Sequence, residues 1–292
     1  MTRRMHYLAT RADSETLLEK ASRAPVDALM LDMEDGVPAG TKEAARKTLL
    51  GALTTLDFGH RFKMIRINQI TTDEGRADLS LVEGRPDALM LPKVAGPEDV
   101  READRLLGEA EREFGIEEGS IKLYVMLETA TAVMQAYETL TASPRMEGAL
   151  FGHADFTVDV GFEGIHGEGF RFHPTIIDYA HAQLIVAAAA AKVQLVGGTM
   201  AAMKDTDTQF AQMQRLFALG YSGVLILSPR QASIVEEAAR PSPVELEFAK
   251  GVVAAHQASM AEGVSVSTFN DWVVEEPFAH LADRVIERAG PV

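Results

Sequence analysis

The sequence predicts an α/β protein, a (β/α)₈ TIM barrel. Three observations carry this. Short apolar runs alternate with longer amphipathic ones almost throughout, as strand–helix repeats require. Eight such repeats can be counted. The 292 residues suit one barrel of on the order of 250 residues with a C-terminal extension. The alternative, an open doubly wound sheet, lacks the glycine-rich dinucleotide fingerprint after its first strand.

The repeats run in order. Met5–Ala9 is the first strand, and Ser14–Ala24 follows as a helix with Ser14 as cap and Leu17, Leu18 and Ala21 on its inner face. Ala28–Leu31 is the second strand, ending in Asp32-Met33-Glu34-Asp35-Gly36, and Thr41–Leu53 is the second helix. Phe62–Ile67 carries Arg66 and Asn68 at its end, and Ala88–Leu91 leads into Pro92-Lys93. Pro97–Phe114 is a charged helix with a stripe of Val100, Ala103, Leu106, Leu107 and Ala110. Lys122–Leu127 stops at Glu128, and Gly148–Phe151 leads through Gly152-His153-Ala154 to Asp155. Between these two strands, Thr131–Leu140 has helical spacing. Phe162–Phe172, rich in glycine and histidine, reads as a mobile rim loop. Thr175–Ala191 is a helix, Val193–Val196 strand seven, Asp207–Leu219 a helix closed by Gly220, and Gly223–Leu227 strand eight. Pro243–Gln257 reads as the last barrel helix, so the barrel is expected over residues 1–258. Residues 259–292, with the only tryptophan, Trp272, form a C-terminal extension that closes its own barrel or reaches a neighbouring subunit.

Bulk properties exclude several functions. A net charge of −15 argues against nucleic acid and anionic membrane surfaces as partners. With no cysteine there is no disulfide framework, thiol nucleophile or thiolate metal site. The first fifteen residues hold three arginines but no apolar core, so they do not read as a secretory signal, and no apolar run is long enough to span a bilayer. A cytoplasmic protein is expected. Neither a P-loop nor a serine-hydrolase elbow occurs.

In a parallel barrel the carboxyl ends of the strands share one rim, where ligands bind. That rim collects Asp32, Glu34 and Asp35, Arg66 and Asn68, Lys93, Glu128, Asp155, Thr199, and Ser228 and Arg230. Glu128 and Asp155, from two strands, suit a hard divalent cation; taken singly, each also reads as a helix-capping or first-turn acid. Arg66 presents a planar fork suited to a carboxylate or enolate oxygen, or to a salt bridge with Glu34 or Asp35. Lys93 reads as a Schiff-base amine or, more simply, a structural ion pair. His153 reads as a third ligand, a base, or a partly buried structural histidine.

The ordered motifs LDMED, RIN, LPKV, LET and the G-x-x-D of Gly152–Asp155 are spread over most of the chain. With them the sequence resembles the citrate lyase β-subunit-like branch of the HpcH/HpaI aldolase superfamily, which includes malyl-CoA and citramalyl-CoA lyases. The resemblance implies a barrel assembled as a homotrimer or a hexamer of trimers. It implies Mg²⁺, with Mn²⁺ as an alternative, held by Glu128 and Asp155. It gives Arg66 the enolate formed at carbon–carbon cleavage and places Glu34 and Asp35 in the network beside the metal. The implied substrate is a small hydroxy acid or its CoA thioester, with Arg4, Arg11 and Lys93 on the thioester side. In the lyases a C-terminal aspartate reaches over the neighbouring subunit's site; here Glu275 falls at that position, as an acid or base in trans.

Three segments depart from the family pattern: Leu8–Ser14 in place of a V-P-G turn and its arginine, Val196–Thr199 in place of an acidic segment, and Ile226–Gln231 in place of I-H-P-x-Q. The metal half is intact and the acyl-carrier half altered. The leading expectation is a Mg²⁺-dependent carbon–carbon lyase. The alternatives are a thioesterase of the same family and a non-catalytic binding subunit.

Overall fold

Eight parallel strands close on themselves because each alternates inward and outward side chains and is covered outside by helices. The computed structural model describes residues 5–161, 164–166, 169–170, 173–198 and 203–290. The chain divides into two compact units, Met1–Val235 and Glu236–Val292.

The first unit holds the barrel. Its strands are β1 (His6–Arg11), β2 (Ala28–Asp32), β3 (Phe62–Arg66), β4 (Ala88–Leu91), β5 (Lys122–Leu127) and β6 (Met146–Phe151). A hairpin of β7 (Ile165–His166) and β8 (Gly169–Phe170) intervenes within the stretch read as a rim loop, and β9 (Gln194–Gly198) and β10 (Gly223–Ile226) complete the barrel. Each barrel strand pairs in parallel with the next, and β10 returns to β1.

The helices are α1 (Glu15–Ser22), α2 (Lys42–Thr55), α3 (Asp73–Ala77), α4 (Pro97–Glu113), α5 (Ala130–Met134), α6 (Ala136–Leu140), α7 (His153–Asp159), α8 (Pro174–Ala191), α9 (Thr206–Leu219) and α10 (Ala232–Ala239). Ser14 caps α1 as expected, accepting from Leu17 N, and Gly220 ends α9 at φ 102. The helix expected over 131–140 is two short ones, because Gln135 leaves helical geometry at φ −106, ψ 27. Helix α3 and the 3₁₀ segment Asp78–Gly84 fill a stretch without a sequence assignment.

Inside the barrel, Tyr7, Ala28, Met30, Phe62, Met64, Ala88, Met90, Tyr124, Met126, Leu150 and Val196 form one buried cluster. These are alternate positions on successive strands, the packed interior of a barrel rather than a pore. Each large side chain so buried contributes about 1.5–3 kcal/mol. Counting two residues on from Met30, Met64 and Met126 reaches Asp32, Arg66 and Glu128. The same alternation that builds the core therefore turns these three charged residues over its upper layer.

The second unit contains α11 (Pro243–Ala261), the strands β11 (Ser267–Phe269) and β12 (Trp272–Val274), and α12 (Glu276–Ala289). Helix α11, read from sequence as the last barrel helix, shares a small core with this unit: Ala249 and Val252 meet Val274 and Ala282. The segment following strand eight in the barrel unit is instead a 3₁₀ turn, Pro229–Gln231, running into α10. Asn270 and Asp271, both at positive φ (48 and 64), close the β11–β12 hairpin as a two-residue turn.

Candidate active site

The acidic loop after β2 is organised by Asp32. Its Oδ1 accepts from Arg66 Nε at 2.7 Å and from Glu34 N at 2.9 Å; its Oδ2 accepts from Arg66 Nη2 at 2.7 Å and from Gly36 N at 3.0 Å. A Cβ on residue 36 would overlap Asp32 Oδ2, so the tight loop needs glycine there. Behind the loop, the buried Lys42 donates to Met33 O and Glu34 O, both at 2.6 Å. Asn68 Nδ2 also donates to Met33 O and binds the fully buried Asp78, which is paired with Arg46. Asn68 thus holds the loop from behind.

Glu34, only 6% exposed, lies between two cations: Oε1 is 2.5 Å from Lys93 Nζ and Oε2 is 3.0 Å from Arg66 Nη1. The latter contact lacks hydrogen-bond alignment, which leaves a buried carboxylate oxygen without a hydrogen bond. Asp35 is reached by Lys93 Nζ at 3.2 Å. Burial works against the charge on Arg66, but the hydrogen bonds and charge of Asp32, with Glu34 and Asp35, outweigh it and raise its pKa above the ordinary value. The same balance, with Glu34 and Asp35 as partners, raises that of Lys93. Both are firmly cationic.

Glu128 is 2% exposed and accepts from Lys93 N at 2.7 Å. Burial, and the negative charges of Asp155 and Glu34, push its carboxyl up to about 7 against the opposing Lys93 N–H and Arg66. A Cβ on residue 152 would overlap Glu128 Oε2, so Gly152 lets β6 pass against this carboxylate. Asp155, in the first turn of α7, is exposed. His153 is not part of a ligand cluster: no group of three or more His, Asp or Glu suited to a metal occurs among the described residues. Burial and the nearby His181 hold its imidazole down at about 4, and its ring stands edge-on to Phe151.

Of the residues expected at the site, Glu34, Asp35, Arg66, Lys93, Glu128 and Asp155 are linked by contact or by charge. Arg11 lies at the end of β1, but its guanidinium is paired with Asp13 at 2.6 Å. Lys93 is engaged with Glu34 and Asp35 instead of standing free for a thioester. Ser228 caps the 3₁₀ turn after β10, and Gln231 folds back onto Leu227 N and Ser228 N. Glu275 precedes α12 in the second unit, exposed. Arg4, Thr199 and most of the loop spanning 162–172 lie outside the described residues. Sequence reasoning overlooked Lys42 and the part of Asp32 in holding Arg66. The salt bridge expected from Arg66 to Glu34 or Asp35 is present to Glu34 at 3.0 Å, and Asp32, the in-register neighbour of Arg66 across β2 and β3, holds the guanidinium as well.

The donor set fits a hard divalent cation. Five carboxylates, Asp32, Glu34, Asp35, Glu128 and Asp155, stand against Arg66 and Lys93, and burial, with the charges of Asp155 and Glu34, pushes Glu128 toward its neutral form. Two oxygen ligands with the remainder water is a coordination typical of Mg²⁺.

A parallel barrel that gathers an arginine, a lysine and these carboxylates at the carboxyl ends of its strands places them where enzymes of this architecture carry their active sites. The chain belongs to the HpcH/HpaI aldolase/citrate lyase family, whose model matches residues 3–229. It is 29% identical to the (3S)-malyl-CoA thioesterase of Cereibacter sphaeroides over 94% of this chain and 90% of that protein. It is 28% identical to the L-malyl-CoA/beta-methylmalyl-CoA lyase of Cereibacter sphaeroides, with the same coverage. The crystal structure of protein CitE from Mycobacterium tuberculosis, in complex with magnesium, acetoacetate and coenzyme A, superposes with a TM-score of 0.82. It is 24% identical, covers 99% of each chain and corroborates the fold. Among the described residues no helix is long and apolar enough to cross a membrane.

Proposed function

We propose that the protein is a Mg²⁺-dependent carbon–carbon lyase that cleaves a small β-hydroxy acid, as its CoA thioester, to a 2-oxo acid and an acyl enolate. The observation that carries this is the placing, at one barrel mouth, of the buried Glu128, which accepts from Lys93 N, and of Arg66, whose guanidinium Asp32 holds; a divalent cation would relieve the burial of the Glu128 carboxylate. Glu128 and Asp155 would hold the metal, which supplies Lewis-acid activation of the substrate hydroxyl and carboxylate. Arg66, permanently charged and set over the methionine layer, stabilises negative charge on the departing enolate oxygen. Glu34, held by Lys93 and Arg66, keeps that cation pair in place, and Asp35 steadies Lys93. Glu275 is assigned the acid–base role in trans within a homotrimer or hexamer, on the strength of the family resemblance. The magnesium and coenzyme A bound by CitE support the cofactor and the thioester.

A second reading is thioester hydrolysis, favoured by the likeness to the malyl-CoA thioesterase. One experiment separates them. Purified protein with Mg²⁺ is screened against malyl-, citramalyl- and related CoA thioesters, and 2-oxo acid and free CoA are measured in parallel. Cleavage yields a 2-oxo acid and an acyl-CoA in equal amounts. Free CoA without 2-oxo acid overturns the lyase reading in favour of the thioesterase.

A further inference from the structure

Asp32 has no acceptor direction left for a metal. Each of its oxygens accepts one guanidinium N–H and one backbone N–H, which fills the four in-plane acceptor directions of a carboxylate. Its two partners are different in kind. One is the side-on edge of Arg66, Nε and Nη2; the other is the backbone of the loop that carries Glu34. With that edge held, Arg66 keeps only its end-on edge, Nη1 and the second hydrogen of Nη2. Nη1 lies 3.7 Å from Met126 Sδ and 3.0 Å from Glu34 Oε2.

We infer that Asp32 is a positioning residue. It locks Arg66 so that the arginine meets substrate end-on, and it fixes in the same stroke the loop that places Glu34 against Nη1. The enolate oxygen is then met by an edge that cannot swivel toward the acid loop, a pre-organised donor that needs no reorientation during the reaction. Register makes this specific: Asp32 and Arg66 are direct partners across β2 and β3, and the bidentate match of a planar fork to a carboxylate is geometrically exacting. A residue that merely stabilised the loop would need only the two backbone bonds.

The kinetic consequence rests on the lyase reading; the locking of Arg66 does not. The test therefore combines a substrate-free measurement with kinetics. In ¹⁵N-arginine-labelled protein, the Arg66 Nε–H is expected to exchange with water at least 10-fold more slowly than that of the exposed Arg23, and Asp32→Asn is expected to remove that protection. Against a thioester substrate, Asp32→Asn is expected to lower kcat about 10²-fold. KM and the Mg²⁺ affinity are expected to change less than 3-fold. Combined with Arg66→Lys it is expected to cost no more than about 3-fold beyond Arg66→Lys alone, because both changes disable one device. Unchanged exchange, a kcat within 3-fold of wild type, or effects that multiply in the double variant would each overturn the inference. If Asp32→Asn does not fold, the wild-type protein decides: an Arg66 Nε–H exchanging as fast as that of Arg23 refutes the lock. If the wild type cleaves no thioester, the lyase reading falls, and the exchange measurement still judges Asp32.

Discussion

Lys93 binds Glu128 through its backbone and Glu34 through its side chain. The N–H donates to Glu128 Oε1 at 2.7 Å, and Nζ lies 2.5 Å from Glu34 Oε1. Lys93 does this from a left-handed backbone, φ 51, a conformation that costs a non-glycine residue roughly 1–2 kcal/mol. The strain turns the peptide after β4 toward β5, where Glu128 ends its strand. One residue thereby ties the carboxylate proposed to hold the metal to the acidic loop, and it places a backbone dipole on a carboxylate that burial would otherwise neutralise.

That balance gives the metal-free protein a distinctive pH dependence. Glu128 has its folded pKa raised to about 7 from 4.5, so between these values the native state holds a proton that the unfolded state has released. Stability from this group is therefore full below about 4.5 and falls as pH rises toward 7, by up to about 3 kcal/mol. Urea denaturation of the metal-free protein is expected to show this fall, and Glu128→Gln is expected to flatten it. Mg²⁺ affinity is expected to rise with pH up to about 7, since binding displaces the proton. Calorimetry showing a flat affinity between pH 5.5 and 8 would be inconsistent with this assignment.

Gly152 offers a test of the same site from the end of the neighbouring strand. Alanine there would place its Cβ 2.5 Å from Glu128 Cβ and in overlap with Oε2. Glu128 must then move. Gly152→Ala is expected to weaken Mg²⁺ binding at least 10-fold while costing about 1–3 kcal/mol of stability. Calorimetry and urea unfolding on the one variant separate these effects, and normal metal affinity would place the ion elsewhere.

Strand ends such as Glu128 and Arg66 were legible because a charged residue closing an apolar run in a parallel barrel must emerge at the rim. The family, the barrel and the charged residues of the mouth all followed from that logic and from the ordered motifs. The salt bridge of Arg66 to Glu34 was legible, but its bidentate hold by Asp32 was not, because only the register of β2 on β3 makes Asp32 its direct neighbour. Lys42 was hidden for another reason. It opens α2 and reads as a solvated helix residue, yet its long stem carries the ammonium back to carbonyls eight and nine residues earlier. Helix α11 misled in the opposite way: its length and amphipathic pattern suit a barrel helix equally well, and only its packing partners Val274 and Ala282 place it in the second unit.

Lys42 carries its own prediction. Lys42→Met keeps the buried stem but strips Met33 O and Glu34 O of a charged donor in a site that is 8% exposed. A loss of about 2–4 kcal/mol is expected from carbonyls left without that partner. Turnover should fall further than the residual folded fraction explains, because Glu34 loses its fixed position. Chemical denaturation together with kcat per folded molecule reads both, and a variant of wild-type stability would mean that water replaces the ammonium without cost.

The opposite end of the barrel should govern survival in acid. Asp27 Oδ2 accepts from Met5 N at 2.7 Å and faces His6 Nδ1 at 3.0 Å, pinning the start of β1. Burial works against its charge, but the bond to His6, the Met5 N–H and the histidine's charge outweigh it and hold the carboxyl at about 2, below its usual 3.8. A depressed folded pKa contributes stability above the unfolded value and loses it as pH falls from about 3.8 to about 2. The side chain is 39% exposed, so solvent screening reduces the contribution to roughly 1 kcal/mol. Asp27→Asn is accordingly expected to lower stability by about that amount at pH 7 and by almost nothing at pH 2. Urea midpoints at the two pH values measure the difference, and an equal loss at both would show that Asp27 acts through shape alone.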